Sequence, residues 1–146
     1  MRKFILIALL SFQTFIYCAD TYLLEYFKGG VVLSRENYNG NFVRVNNKLT
    51  FTDSRKNVFT CMKSGSRIQF NSNTSNGTFS KVGHVVVFES GDQQIMFIKQ
   101  GQDFIIQKGK NQLLASRAGN SYAVEAEVNE VLWIQLFGVM LSYNFY

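Results

Sequence analysis

The amino-acid sequence predicts an all-β protein, and two observations lead to that prediction. Beyond residue 19, β-branched and aromatic residues fill short segments that glycines and Asn/Ser/Asp clusters separate, a pattern typical of many short strands joined by turns. No segment of this region shows the 3.6-residue apolar period of an amphipathic helix. An apolar share of 47% is that of a chain able to bury a core. We therefore expect antiparallel sheets with polar connections.

The predicted strands differ in how clearly they alternate. In Ser121–Val128, Tyr122, Val124, Ala126 and Val128 share one face while Glu125 and Glu127 take the other, as a half-buried strand requires. Val85–Phe88 is continuously apolar, which favours a strand covered on both faces. Asn129-Glu130 predicts a tight turn, and no strong internal repeat is detected. The predicted strands are Leu49–Thr52, Val58–Cys61, Arg67–Phe70, His84–Glu89, Gln94–Lys99, Asp103–Gln107, Ser121–Val128 and Val131–Phe137.

The first 19 residues predict a secretory signal peptide. Arg2 and Lys3 precede an apolar run over residues 4–17, and Cys18 and Ala19 end it with small side chains. The run is short for a spanning helix, which needs about 20 apolar residues. Cleavage after Ala19 and cleavage after Cys18 both agree with this pattern, and a retained N-terminal anchor is the alternative.

Export leaves one secreted extracellular domain, residues 20–146, with no further membrane span expected. Loss of Arg2 and Lys3 lowers the basic count from 15 to 13 against 10 acidic residues. The charges are scattered along the sequence. The densest basic cluster comprises Arg55, Lys56, Lys63 and Arg67. No aromatic ladder accompanies them, so we expect no nucleic-acid partner. The cluster is either a solvated face or a weak attraction for anionic glycans or membranes.

Two residue types that export makes relevant are cysteine and asparagine. With Cys18 removed, Cys61 stands alone, as a buried small hydrophobe or as the site of an intermolecular disulfide. The polar loop from Asn71 to Gly77 contains two N-glycosylation acceptors, Asn73 and Asn76. Their use requires a eukaryotic source.

Four segments resemble the globular head of complement component 1q, which shares a jelly roll with the tumour necrosis factor superfamily. Val58-Phe59-Thr60-Cys61 followed by Gly65 and Arg67–Phe70 is similar to that family's first core hairpin. Ile95–Gln102 is similar to its apolar strand and glycine turn, and 115–128 to the strand after it. Val128–Leu136 is similar to its tryptophan-containing strand. The likeness covers about residues 57–138; the family's last loop has no counterpart.

The resemblance implies an antiparallel two-sheet jelly-roll sandwich that assembles as a homotrimer and thereby protects its sheet edges. It also implies a secreted, non-enzymatic, glycosylated binding module for a receptor, glycan or microbial surface. One alternative is a β-trefoil ligand like fibroblast growth factors or fascins, since residues 103–117 resemble one trefoil repeat. Another is a small outer-membrane β-barrel, because residues 141–146 end in aromatic side chains.

We expect no enzymatic activity and no cofactor. His84 is the single histidine, and a dyad with Cys61 would lack a third orienting group. One histidine and one thiol do not supply the four ligands of a zinc site. Asp92 and Asp103 are isolated in sequence, whereas calcium needs gathered carboxylates. No glycine-rich loop precedes a helix as a phosphate site would require.

Overall fold

A computed structural model describes residues 19–27 and 30–146, apart from the side chains of residues 19, 20 and 128. The predicted signal peptide, with Cys18, therefore lies outside the described residues except for Ala19, the first residue of strand β1. The rest of the fold belongs to the predicted domain.

Twelve strands follow one another along the described chain, each joined to the next by a short connection. They are β1 (Ala19–Phe27), β2 (Gly30–Arg35), β3 (Tyr38–Val45), β4 (Lys48–Asp53), β5 (Val58–Ser64), β6 (Arg67–Ser72), β7 (Asn76–Val82), β8 (Val85–Ser90), β9 (Gln93–Gln100), β10 (Asp103–Lys108), β11 (Asn111–Ala118) and β12 (Ser121–Glu127).

The strands form one closed antiparallel barrel. Each strand pairs with its neighbour in sequence, and β12 pairs with β1 from Ala19 opposite Glu127 to Glu25 opposite Ser121. The predicted two-sheet jelly-roll sandwich is wrong, and so is its β-trefoil alternative. Hairpins such as β5–β6 occur in all three architectures, so local similarity did not reveal how the sheet closes. A closed barrel has no free sheet edges, so the protection of edges no longer supports the predicted homotrimer. The homotrimer stays a prediction.

The barrel interior is filled by the alternating side chains of the strands and by a C-terminal helix. On β3 and β4, for example, Phe42, Leu49 and Phe51 face inward and are buried. The helix α1 spans Val131–Ser142 after a 3-10 turn at Val128–Glu130, and residues 133–141 are all buried. A helix that is apolar on every side belongs inside a protein, and here the barrel surrounds it.

The predicted strand Val131–Phe137 and the predicted turn Asn129-Glu130 are corrected by this helix. A continuous apolar run is compatible with a buried strand and with a buried helix, and periodicity does not separate the two. The Glu130 carboxylate accepts a hydrogen bond from the Glu127 amide at 2.8 Å, which fixes the entry into the helix. Over the residues the structure describes, no helix combines the length and apolar character of a membrane span.

The other seven predicted strands are confirmed within a few residues, as β4, β5, β6, β8, β9, β10 and β12. Tyr122, Val124 and Ala126 face inward on β12 as predicted, whereas the strand ends at Glu127 and Val128 begins the 3-10 turn. The continuous run on β8 is buried from Val86 to Phe88. Strands β1, β2, β3, β7 and β11 were not predicted; Asn and Gly within β3 and β7 conceal their pattern.

Candidate functional site: the basic end of the barrel

The two ends of the barrel carry opposite charge. We call the end with the turns after β3, β5, β7, β9 and β11 the basic end, and the other the opposite end. Described acidic side chains at the basic end are Glu25 and Asp103. The cationic side chains there are Arg44, Lys48, Lys63, Arg67, Lys81, Lys99 and Arg117. The opposite end has Arg35, Arg55, Lys56, Lys108 and Lys110 against Glu36, Asp53, Glu89, Asp92, Glu125, Glu127 and Glu130.

Five of these cations form a ring around the mouth of the barrel, which we call the basic ring. Each is the penultimate residue of an odd-numbered strand, and each lies two positions beyond a buried residue, on the inward face of its strand. The packed interior ends before them, so their side chains surround the opening. The members of the basic ring are Arg44, Lys63, Lys81, Lys99 and Arg117.

The basic ring arises from an internal repeat, which corrects the expectation that the sequence has none. Lys63, Lys81, Lys99 and Arg117 are each separated by 18 residues, the length of one hairpin unit, and a glycine follows each of them two positions later. Those glycines, and Asn46 after Arg44, have positive φ values of 59–64°. Tight hairpin turns require this left-handed conformation, so the spacing of the basic residue and its turn residue was the signal available in the sequence.

Aromatic residues of the helix end, the C-terminal tail and the barrel wall support the basic ring. Arg44 lies 5.2 Å from the ring centre of Tyr143, and its Nη1 donates to the Ser142 carbonyl at 3.3 Å. Lys81 lies 5.0 Å from the ring of Phe145, and Arg117 lies 5.5 Å from that of Tyr122. Cations over aromatic faces are attracted to them, and those near a helix C-terminus interact favourably with its dipole. Arg44, Lys81 and Arg117 are thereby positioned, and Arg44 has a structural role.

The charges of the basic ring have no ion-pair partner within the described part of the chain. Lys48, Lys63 and Arg67 also lack any side-chain hydrogen bond or aromatic contact among the described residues. A surface of one sign attracts counter-charged partners and raises their rate of association. The arrangement is therefore suited to an anionic partner.

Exposed apolar side chains accompany the cations. Among the described large hydrophobic residues the three most exposed are Phe27 at 69%, Val45 at 66% and Val82 at 65%. Each is the last residue of its strand, and all three lie at the basic end. Single exposed apolar residues are common on protein surfaces, but these three share one end of the barrel with the cations. We call these three residues the apolar rim.

Cys61, the cysteine of the described residues, lies inside the barrel wall. Cys61 on β5 is free and 1% exposed, and burial raises the pKa of its thiol to about 12. Its carbonyl accepts from the Tyr143 hydroxyl at 3.3 Å, which also donates to Asn47 at 2.7 Å. An intermolecular disulfide would require β5 to open.

We expect the Cys61 thiol to react at least ~10²-fold more slowly with a water-soluble aromatic disulfide in the native protein than after unfolding, because the thiolate is the attacking species. The matched control is Ser66→Cys in the exposed β5–β6 turn, which should react at the rate of a free thiol. Fast labelling of Cys61 in the native protein, measured by absorbance, would contradict the burial of its thiol.

The other candidate ligands and catalytic groups are kept apart. His84 is exposed in the β7–β8 turn, and two strands separate β8 from the β5 strand of Cys61. Asp92 lies at the opposite end and Asp103 at the basic end. Among the described residues no three His, Cys, Asp or Glu side chains are grouped as metal ligands.

The predicted basic cluster is divided between the two ends. Arg55 and Lys56 occupy the β4–β5 connection at the opposite end, whereas Lys63 and Arg67 flank the β5–β6 turn at the basic end. The predicted glycosylation acceptors also lie at the opposite end, Asn73 in the β6–β7 turn and Asn76 as the first residue of β7. A glycan at either position would leave the basic end accessible.

Comparison of the chain with protein-family models, characterised proteins and solved structures finds no match. The fold and the charge distribution therefore supply the functional argument.

Proposed function

We propose that this protein is a non-enzymatic binding module that docks on an anionic lipid surface with the basic end of its barrel. The basic ring is the observation that carries the proposal. Five cations recur at equivalent strand positions without ion-pair partners among the described residues, and a chance scatter of charge would not concentrate them at one mouth. A microbial surface is among the partners that the sequence predicts, and it presents such lipids.

The apolar rim favours a lipid surface over an anionic glycan. Phe27, Val45 and Val82 extend from the same end as the cations and gain little from contact with a hydrated polysaccharide. At a bilayer they would enter the boundary between headgroups and acyl chains, where apolar burial adds to the electrostatic attraction. Both components act on the same face, so they reinforce each other.

The test is cosedimentation with vesicles of equal parts phosphatidylglycerol and phosphatidylcholine. Since each lysine or arginine near an anionic surface contributes about 1 kcal/mol, we expect the triple variant Lys48→Gln, Lys63→Gln, Arg67→Gln to bind about 100-fold more weakly. These three side chains form no hydrogen bond, ion pair or ring contact with the described residues. The control variant Lys56→Gln, Lys108→Gln, Lys110→Gln loses the same charge at the opposite end and should bind like the native protein.

Two further results separate lipid docking from its alternatives. Val45→Ser with Val82→Ser should weaken vesicle binding several-fold while leaving retention on immobilised heparin unchanged. Heparin retention without vesicle binding would overturn the lipid proposal in favour of a glycan. Equal losses in the two triple variants would show that net charge, and not the basic end, controls binding.

The closed antiparallel barrel also supports the outer-membrane alternative. Such barrels alternate apolar residues toward lipid with polar residues toward the lumen. This barrel has an apolar interior, and polar side chains such as Thr52, Gln69 and Glu125 are exposed on its wall. We therefore rank it second. An integral barrel would stay in the membrane fraction after a high-salt wash, whereas a protein docked by charge would be released.

A further inference from the structure

A cleft opens at the basic end beside the C-terminal tail. It lies between the β7–β8 and β9–β10 turns and has a volume of about 430 Å³. Its walls combine two lysines, a histidine and turn glycines with apolar groups. The lining residues are Lys81, Gly83, His84, Val85, Val86, Lys99, Gly101 and Tyr146.

Aromatic contacts position the two lysines on either side of this cleft. The Lys81 ammonium lies 5.0 Å from the ring centre of Phe145. The Lys99 ammonium lies 5.2 Å from that of Phe104 and 5.4 Å from that of Tyr146. Strands β7 and β9 are separated by β8 alone, so their backbones are about 10 Å apart. Two lysine side chains can therefore reach one small anion held between them.

The turn residues add hydrogen-bond donors to these charges. The β7–β8 ladder ends at the Val82–Val85 pair, so the Gly83 and His84 amides lie beyond the sheet. The imidazole of His84 is a further donor on the same wall. Backbone amides and lysines together are the groups that bind phosphate oxygens. Tyr146, 40% exposed, presents a ring to whatever carries the anion.

We propose that this cleft binds the anionic head of a phosphate or sulfate ester. Lys81 and Lys99 bind its oxygens, the turn amides and His84 donate to it, and the Tyr146 ring contacts its carrier. The inference deepens the proposed docking function, since a lipid headgroup is one source of such an ester and a soluble ester is another. Two cations around one site match a group with several charged oxygens better than a single carboxylate.

The first experiment is a titration of the native protein with inorganic phosphate at constant ionic strength, monitored by amide NMR. We expect saturable shifts at Gly83, His84 and Gly101, and an affinity at least 10-fold lower in Lys81→Gln, Lys99→Gln. The Lys108→Gln, Lys110→Gln variant loses the same charge at the opposite end of the barrel and should keep the native affinity. Lys81→Arg, Lys99→Arg should bind, because it keeps both charges. Linear, non-saturating shifts, or equal losses in the two glutamine variants, would overturn the site.

Further experiments identify the source of the ester and test the cleft independently of the docking function. Competition by soluble glycerol phosphate, by a sulfated disaccharide and by vesicles containing phosphatidic acid distinguishes the carriers. Saturable phosphate binding without vesicle binding would support the anion site in the cleft and contradict docking on a lipid surface. If Lys81→Gln, Lys99→Gln leaves vesicle binding unchanged and phosphate causes no amide shifts, the docking proposal is supported and the anion site in the cleft is contradicted.

Discussion

Replacing Phe137 with alanine is expected to lower the free energy of unfolding by about 3–5 kcal/mol. Phe137 is fully buried on the helix inside the barrel. Its ring centre lies 5.3 Å from those of Phe104 and Tyr122, in edge-on geometry, and 6.2 Å from that of Phe97. Strands on several sides prevent the barrel wall from closing into the cavity left by the ring. Chemical denaturation followed by the fluorescence of Trp133 measures the change.

Leu132→Ala is the matched control for that experiment, because Leu132 lies on the same helix but is 41% exposed. We expect it to cost less than about 1 kcal/mol. Equal costs for the two variants would contradict a helix enclosed by the barrel. Gly138 provides an independent check, since a Cβ at that position would collide with the ring of Phe42. Any larger residue there must displace a buried aromatic side chain.

The individual strands could be predicted where alternation was clean. Tyr122, Val124 and Ala126 alternate with small or acidic residues, and the structure places their side chains inside. The helix could not be separated from a strand, because Val131–Ser142 has only two polar residues, Gln135 and Ser142, and is apolar on every side. Its conformation depends on enclosure by twelve strands, which is information that no local window contains.

Closure of the sheet is likewise a property of the whole chain. A jelly roll and this barrel can share the hairpin of Val58–Ser64 with Arg67–Ser72, but here every strand pairs with its neighbours in sequence instead of through Greek-key connections. The pairing of Ala19–Phe27 with Ser121–Glu127 then closes the sheet between residues about 100 positions apart. A resemblance built on neighbouring segments therefore identified local units and assigned the wrong architecture.

The basic end, by contrast, was accessible from the sequence through the 18-residue spacing of Lys63, Lys81, Lys99 and Arg117. Each repeat is one hairpin, and the same strand position recurs at the same rim of the barrel. Local charge density does not reveal this shared position, because Arg55 and Lys56 are near Lys63 in sequence but lie at the other end of the barrel. Periodic position, and not local density, determines where these charges meet.

Replacing Asp53 with alanine is expected to cost about 2 kcal/mol of the free energy of unfolding, because it removes a charged hydrogen-bond acceptor. The Asp53 carboxylate accepts from the amides of Arg55 at 3.0 Å and Asn57 at 2.8 Å, and from the Tyr38 hydroxyl at 3.0 Å. That hydroxyl in turn accepts from Gln135 of the helix at 3.0 Å. The β4–β5 connection and the buried helix are thus linked through one carboxylate. Asp53→Asn, which retains an acceptor, should cost less, as measured by denaturation at neutral pH.

The same carboxylate gives stability a defined dependence on pH. Partial burial would raise the pKa of Asp53, but its hydrogen bonds with Asn57, Tyr38 and Arg55 outweigh burial and hold it below the ordinary value of 3.8. A depressed pKa means that the unfolded chain takes up the proton first. The stabilisation is therefore present above about pH 4 and is lost as the pH falls through the lower native value. The stability difference between the native protein and Asp53→Asn should shrink across that acidic range. A difference that stays constant from neutral to acidic pH would show that the Asp53 charge does not hold the connection to Tyr38 and the helix.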